Sequence, residues 1–206
     1  MDLMVDIETL DTATTAVVTQ IAIVGFESDP ERTLVTQELF NSAVNLEEQL
    51  KAGRTISNKT VEWWLDTDAG LFGENLFKSC QAGRLSYLPS ALRHACNYVD
   101  FKTDNVWMQG PHFDQCILEA LFKSVGEFEQ LPWKYWQVSD VRTIEKECKF
   151  KLWDKQRVEA IIRDSSTQKH NALSDCYKQI RVLRACKAHM RGLSYAKSGE
   201  CSKEGS

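Results

Sequence analysis

MDLMVDIETLDTATTAVVTQIAIVGF, residues 1–26, is the stretch that decides the fold. It begins with a short apolar segment, Leu3–Glu8, and continues after small and polar residues into Val17–Phe26, which is rich in β-branched side chains. A looser alternation of apolar and polar residues follows over Thr33–Val44. The three segments predict three consecutive strands joined by turns.

Helical periodicity begins after these strands, where Ser57 or Asn58 can cap a helix that contains Trp64. The other predicted elements are helices over about Pro89–Val99, from Phe113 onward, over Val158–Arg163 and over Asn171–Met190, and short strands over Asn105–Gln109 and Tyr135–Val138. Strands that come first and then alternate with helices indicate an α/β fold.

Length and composition exclude several classes of protein. The chain has 206 residues, of which 43% are hydrophobic and 26% charged, so one globular domain with its own core is expected. No apolar run approaches the roughly 18 residues that cross a bilayer, so no membrane partner is expected. The N-terminus carries acids where a signal peptide needs basic residues, and the seven cysteines include no C-x-x-C pair. We therefore expect a cytoplasmic protein with reduced thiols.

Charge is unevenly distributed although the net charge is only -4. Residues 1–141 hold 10 basic and 21 acidic side chains, whereas residues 142–191 hold 13 basic and 6 acidic ones. A basic segment beside an acidic remainder favours an anionic partner such as nucleic acid. The alternative is a solvated helical surface.

The first candidate functional residues are Asp6 and Glu8. Strand alternation places both carboxylates on one face of the first strand, about 7 Å apart along the backbone. Two such acids among apolar neighbours are costly unless a cation neutralises them, and oxygen ligands suit Mg²⁺ or Mn²⁺. An edge strand with one solvated face is the alternative.

Further candidates lie at two predicted helix starts. Asp114 follows a buried strand and a Gly-Pro pair, which is where ligands bind in open α/β sheets, although an ordinary helix start is an alternative. In the segment HNALSD, Asn171 is a plausible helix cap, so His170 lies on the preceding loop and Asp175 points inward. We interpret His112 as a loop histidine without a role in the mechanism.

Taken together, these motifs resemble those of the DEDDh 3'-to-5' exonucleases. The D-x-E pair, the mid-chain Asp114 and the late His-x-x-x-x-Asp occur in the family order, and the resemblance covers about residues 3–191. TVEWW, SDVRTI and HNALSDC are similar to the phage exonuclease A and exoribonuclease-like branch. The resemblance implies an RNase H-like α/β fold, with a mixed central sheet of about five strands flanked by helices.

The same resemblance implies the roles of the site residues. Asp6, Glu8, Asp114 and Asp175 would hold two Mg²⁺ or Mn²⁺ ions, and His170 would be the general base that activates water. The reaction would release 5'-mononucleotides from 3' ends of single-stranded DNA or RNA, with DNA slightly favoured.

Substrate contacts are predicted close to these acids. Thr9 and Leu10 follow the D-x-E pair and are expected to meet the terminal nucleotide. Trp63 and Trp64 could stack on a base, although core packing is the stronger interpretation for at least one of them. Arg142 is a candidate phosphate contact or, equally, part of a structural ion pair.

Two features differ from the family pattern, and two alternatives remain open. Gln109 and Gly110 stand where many relatives have His-Asn, and Ser174 stands where relatives often have a second acid. An RNA-trimming exoribonuclease of the same fold is the first alternative, and an inactive module that only binds nucleic acid or protein is the second. We expect residues 1–192 to form a single 3'-5' exonuclease domain, residues 193–206 to form a flexible polar tail, and the family analogy to allow a homodimer.

Overall fold

A five-stranded mixed sheet forms the centre of the computed structural model. The structure describes residues 1–97, 104–125, 131–148 and 170–192, and the backbone of residues 194–195 and 201–202. The strands are β1 (Asp2–Thr9), β2 (Val18–Phe26), β3 (Thr36–Ala43), β4 (Val106–Met108), β5 (Val138–Asp140), β6 (Ser194–Tyr195) and β7 (Cys201–Ser202). The helices are α1 (Leu46–Lys51), α2 (Asn58–Gln81), α3 (Leu88–Ala95), α4 (Pro111–Ser124), α5 (Val141–Glu147) and α6 (Ala172–Met190), with short 3-10 turns at Leu85–Tyr87 and Tyr135–Gln137.

The central strand of this sheet is β1. The strand order is β3-β2-β1-β4-β5, in which β1 pairs antiparallel with β2 and parallel with β4. β4 in turn pairs parallel with β5, and β2 pairs antiparallel with β3. The α/β class and the mixed sheet of five strands flanked by helices are therefore confirmed, and the arrangement is consistent with an RNase H-like fold.

Alternation along β1 assigns its side chains to the two faces of the sheet. Leu3, Val5 and Ile7 belong to the larger core cluster, together with Leu118 and other apolar residues of α3 and α4. Met4 points to the opposite face and belongs to a second cluster with residues of α6. The even-numbered positions of β1 therefore face α6, which determines where Asp6 and Glu8 lie.

Several predicted elements are confirmed, with boundaries shifted by a few residues. The first three strands, the helix after Ser57 and the helix after Asn171 are all present. The short helix α1 was missed, although Asn45 caps it by accepting a hydrogen bond from the backbone N–H of Glu48 at 2.9 Å.

The strand predicted over Tyr135–Val138 is shifted toward the C-terminus. Residues Tyr135–Gln137 form a 3-10 turn, in which Gln137 accepts a hydrogen bond from the backbone N–H of Lys134 at 2.9 Å, and β5 begins only at Val138. Tyr135 is 78% exposed and Trp136 67%, so the aromatic residues of the predicted strand lie on the surface.

Other predictions fall on parts of the chain that the structure does not describe. The helix predicted over Val158–Arg163 lies outside the described residues, as do residues 149–169 of the basic segment 142–191 and residues 98 and 99 of the helix predicted up to Val99. Among the helices in the described ranges, none is long and apolar enough to span a membrane.

Candidate active site

Three carboxylates converge where β1 ends beneath α6. Asp6 and Glu8 occupy the β1 face that is turned toward α6, and Asp175 lies in the first turn of that helix. One oxygen from each of the three carboxylates lies within 4.8 Å of the other two. The structure thus brings together residues that are more than 160 positions apart in the sequence.

The start of α6 is fixed by Asn171. Its side-chain oxygen accepts a hydrogen bond from the backbone N–H of Ser174 at 3.3 Å, and its carbonyl accepts one from the N–H of Asp175 at 2.9 Å. This cap confirms the predicted helix start and sets the rotation of the helix that directs Asp175 toward β1. Ser174 itself is partly buried beside the cap.

The fourth predicted acid, Asp114, is buried at the start of α4 and does not belong to the group of three. Only 5% of its surface is exposed, and the backbone N–H groups of Asp114 itself and of Ile7 stabilise its charged form. Its negative charge nevertheless raises the pKa of both Asp6 and Glu8. Asp114 is therefore an electrostatic member of the cluster, although it is not one of the three acids whose oxygens all lie within 4.8 Å of one another.

The cluster carries more negative charge than its surroundings neutralise. Burial, followed by the charges of Asp175 and Asp114, raises the pKa of Glu8 from 4.5 to about 8. Burial is also the largest cause that raises the pKa of Asp114 to about 7, and burial with three neighbouring acids raises the pKa of Asp6 well above its ordinary value. Oxygen donors crowded in this way fit a hard divalent cation such as Mg²⁺ or Mn²⁺, which would relieve the repulsion.

His170 lies on the loop before α6 and packs against the tryptophan pair. Its backbone has a positive φ of 59°, and its ring makes edge-to-face contacts with Trp63 and Trp64 at centroid distances of 5.0 and 6.0 Å. The sequence predicted these three residues separately, as a base and as stacking residues, but did not predict their contact. The contacts with the tryptophans of α2 thus restrict the position of the histidine ring.

A cavity of about 460 Å³ opens beside the acids. Its walls come from the end of β1 and from the starts of α2 and α4, and they are formed by Ile7, Glu8, Thr9, Thr12, Ser57, Lys59, Thr60, Trp63, Trp64 and Phe113. The cavity has both apolar and polar lining residues and shares Glu8 with the carboxylate cluster. Its size and its mixture of aromatic and polar walls are typical of a small-ligand site.

The two tryptophans differ in environment. Trp64 is 2% exposed, donates its indole N–H to the carbonyl of Thr9 at 3.0 Å and packs in a cluster with Leu10 and Phe72. Trp63 is 46% exposed on the cavity wall. The expectation that at least one of the pair packs in the core is confirmed for Trp64, and Trp63 is the one with a free surface.

The predicted substrate contacts Thr9 and Leu10 also differ in environment. Thr9 lines the cavity, and its hydroxyl donates a hydrogen bond to the carbonyl of Asp11 at 2.8 Å. Leu10 is 2% exposed within the cluster of Trp64. The burial of Leu10 makes it a support for the cavity wall, whereas Thr9 faces the space that a ligand would occupy.

Arg142 lies over Gly110 at the start of α4. Gly110 has a φ of 104°, and a Cβ at this position would lie 3.0 Å from an Arg142 Nη atom. The glycine therefore leaves room for the guanidinium. Burial raises the pKa of Asp114 and of Glu145, and the charge of Arg142 offsets part of that rise. This arrangement gives a physical reason for a glycine at position 110.

The sequence analysis missed three residues of the site: Phe113, Lys178 and Gln179. Phe113 lines the cavity, Lys178 forms an ion pair with Asp175, and Gln179 donates a hydrogen bond to Asp6. Lys178 and Gln179 follow Asp175 by three and four positions, so helical spacing could have placed them on the same face. His112, predicted to lie in a loop, is an exposed residue in the first turn of α4.

An RNase H-like sheet with clustered carboxylates at the end of its first strand is the architecture of a nuclease. Comparison with known families agrees with this class. The model of the family described as "3'-5' exoribonuclease Rv2179c-like domain" matches residues 1–187, and the chain belongs to this family. The chain is also similar to a protein named exodeoxyribonuclease from Enterobacteria phage T4, with 24% identity over 231 aligned positions that cover 97% of this chain and 94% of the phage protein.

Proposed function

We propose that this 3'-5' exonuclease hydrolyses phosphodiester bonds at the 3' ends of single-stranded nucleic acid, favours DNA and releases 5'-mononucleotides. The observation that carries the proposal is the convergence of Asp6, Glu8 and Asp175 within 4.8 Å at the end of β1. Such a concentration of acids is costly in a folded protein and is characteristic of functional sites.

Four carboxylates would hold the divalent ions: Asp6, Glu8, Asp114 and Asp175. The divalent ions held by these carboxylates would supply charge neutralisation at the phosphate and at the leaving oxygen, and would make a bound water more acidic. Asp6 is the acid with the largest number of acidic neighbours that affect its pKa. We therefore propose that Asp6 is shared by both ions.

His170 is proposed as the general base. Histidine exchanges protons near neutral pH, so an unprotonated imidazole nitrogen can accept the proton of the attacking water. The contacts with Trp63 and Trp64 restrict the ring to one region at the mouth of the site. The proton would then leave through the solvent, because His170 is only partly buried.

The cavity beside Glu8 is proposed to hold the terminal nucleotide. Trp63 and Phe113 offer aromatic surface to a base, and Thr9 offers a polar group where the strand carrying the acids ends. Arg142, on the other side of Asp114, is proposed to contact a phosphate. Both proposals place the reactive 3' end next to the carboxylates.

DNA and RNA remain competing substrates, and each has a supporting observation. The similarity to a phage exodeoxyribonuclease over nearly the whole chain favours DNA. The family description names exoribonuclease activity, which favours RNA trimming as the second candidate. Matched DNA and RNA oligonucleotides of one sequence, digested under single-turnover conditions, distinguish the two through their ratio of kcat/KM.

A 5'-labelled single strand tests the direction of digestion. With Mg²⁺ or Mn²⁺ we expect a ladder of products shortened from the 3' end, and resistance when that end carries a 3'-phosphate. A circular strand should remain intact, since it has no end. Digestion of the circle, or no hydrolysis of any linear substrate with either ion, would contradict the proposed function.

The remaining proposals concern the residues that activity requires, the oligomeric state and the cellular location. We propose that residues 1–192 suffice for activity. The polar tail predicted over residues 193–206 lies mostly outside the described residues, and its described backbone pairs Ser194–Tyr195 with Cys201–Ser202. A chain that ends at residue 192 should retain the activity of the full chain. A homodimer and a cytoplasmic location stay predictions, and light scattering on the purified protein tests the first of them.

A further inference from the structure

One face of α6 carries Asp175 and two polar residues that contact the acids of the site. Lys178 and Gln179 follow Asp175 by three and four residues, so each lies on the side of the helix that carries Asp175. Lys178 and Gln179 contact two of the acids proposed to hold metal. Neither residue belongs to the motifs from which the site was predicted.

Lys178 provides a positive charge inside the cluster. Its Nζ lies 2.6 Å from Oδ1 of Asp175, and the two side chains are only 16% and 24% exposed. Its charge also lowers the pKa of Glu8, against the larger effects of burial and neighbouring acids. The ammonium therefore offsets part of the repulsion among the acids when no metal is bound.

Gln179 contacts Asp6. Its Nε2 donates a hydrogen bond to Oδ1 of Asp6 at 2.7 Å, and the side chain is 6% exposed. The other polar atom of the amide, Oε1, is buried and has no hydrogen-bond partner within the described part of the chain. A buried amide with one unpaired atom is costly, so its retention beside Asp6 points to a role in holding that carboxylate.

We propose that Lys178 and Gln179 are positioning residues that set the affinity for the divalent cation in opposite directions. In the metal-free protein, the ammonium of Lys178 pairs with the carboxylate of Asp175 and competes with the cation for it. Gln179 holds the carboxylate of Asp6 in the orientation that binds the cation. This inference rests on the proposed function, because it assumes that the acids bind metal.

The opposite directions follow from the chemistry of the two side chains. A lysine ammonium is a compact charge on a flexible stem, so it can neutralise a carboxylate and move away when a divalent ion takes its place. When the cation binds, the ion pair between Lys178 and Asp175 is lost. An amide donor to one oxygen leaves the second oxygen of Asp6 available as a ligand, and such outer hydrogen bonds strengthen metal binding by about 10–100-fold.

Calorimetric titration of the full chain with Mn²⁺ tests the proposal directly. Lys178→Met should bind Mn²⁺ about two- to tenfold more tightly than wild type, because the competing charge is gone. Gln179→Met should bind about 10–100-fold more weakly. Lys178→Arg keeps the charge and should remain closer to wild type than Lys178→Met does.

Lys78→Met is the matched control. Lys78 forms an ion pair of the same length, 2.6 Å, with Glu74 on α2, but its side chain is 56% exposed and remote from the acids. This variant should leave Mn²⁺ affinity unchanged. Thermal unfolding in EDTA, run on every variant, separates a change in metal affinity from a loss of fold.

The outcomes distinguish this inference from the proposed function. If wild type binds no Mn²⁺, or if Asp6→Asn binds it as tightly as wild type, the proposed metal site is wrong. If wild type binds Mn²⁺ and Lys178→Met binds it equally or more weakly, the competing role of Lys178 is wrong while the site stands. Should Gln179→Met fail to fold, the sign of the Lys178→Met effect still decides the proposal.

Discussion

Strand β1 carries acids in opposite surroundings at its two ends: Asp2 at the amino end, and Asp6 and Glu8 at the carboxyl end. Asp2 is 6% exposed and accepts hydrogen bonds from the indole N–H of Trp107 at 2.7 Å and from the backbone N–H of Asn105 at 3.0 Å. Within the described residues, Asp6 has one side-chain donor, Gln179, and its other charged neighbours are the acids Asp114, Glu8 and Asp175.

The difference shows how the fold separates structural acids from functional ones. Neighbouring donors at the amino end satisfy the buried charge, so Asp2 fastens β1 to β4. At the carboxyl end the neighbours are themselves negative, and the charge is left for a cation to satisfy. Burial alone does not distinguish the acids at the two ends of β1, whereas the number of hydrogen-bond donors beside them does.

The largest effect is expected when one of the unsatisfied acids is neutralised. Glu8→Gln changes almost no volume but removes a proposed ligand, so single-turnover hydrolysis should fall by about 10³-fold or more, since metals contribute several kcal/mol to the transition state. Glu38→Gln, at an exposed position of β3, is the control. If the hydrolysis rate of Glu8→Gln is within tenfold of the wild-type rate, Glu8 is a structural acid like Asp2.

Removal of the proposed base should have the next largest effect. His170→Ala should lower kcat by about 10²–10⁴-fold, the usual contribution of a general base, while Mn²⁺ affinity stays close to wild type. The neutral-pH limb of the rate profile should flatten in this variant. His112→Ala, at the exposed start of α4, should behave as wild type. If His170→Ala loses Mn²⁺ affinity, the histidine belongs to the ligands or to the fold.

Loss of the exposed tryptophan should affect binding more than chemistry. Trp63→Ala removes the aromatic wall of the cavity, so KM for a single strand should rise by about 5- to 100-fold, from a stacking energy of about 1–3 kcal/mol. Trp136→Ala removes another exposed tryptophan, 67% exposed against 46% for Trp63, that does not line the cavity, and it is the control. An unchanged KM would mean that Trp63 supports His170 without contacting the base.

The smallest predicted effect is on the pH dependence of stability. In the metal-free protein, Glu8 and Asp114 have pKa values of about 8 and about 7, above their ordinary values of 4.5 and 3.8. They bind protons in the folded state that the unfolded chain has released, so the free energy of unfolding should fall as the pH rises from about 5 to about 8.

Urea unfolding in EDTA at several pH values measures this slope. Glu8→Gln should flatten it and raise stability at pH 8 by on the order of 1 kcal/mol, which corresponds to about 2–4 °C in Tm for a chain of this size. A wild-type stability that rises over this pH range would show that the acids are satisfied within the protein.

Much of this comparison was predictable from sequence because it depends on local patterns. Alternation placed Asp6 and Glu8 on one face of β1, and the Asn171 cap fixed the start of α6 and the direction of Asp175. The family resemblance supplied the combination of four acids and a histidine. These features follow from periodicity, from capping and from the order of motifs along the chain.

The rest depended on contacts between distant elements. The packing of Trp63 and Trp64 on His170 joins α2 to the loop before α6, and no local pattern specifies it. The exposed turn at Tyr135–Gln137 was mistaken for a strand because aromatic residues favour strands wherever they lie. Lys178 and Gln179 were overlooked because their role appears only when α6 is placed against β1.

Parallel analysis of Asp2→Asn and Asp6→Asn tests the central claim most directly. Hydrolysis of one 5'-labelled DNA strand in Mn²⁺ and urea unfolding in EDTA are measured on both variants and on wild type. Asp2→Asn should lose about 1–3 kcal/mol of stability, because its hydrogen bonds are disturbed, and cleave at nearly the wild-type rate while folded. Asp6→Asn should keep or gain stability and show no detectable cleavage. Robust cleavage by Asp6→Asn, or inactivity of folded Asp2→Asn, would contradict the assignment of the two ends of β1.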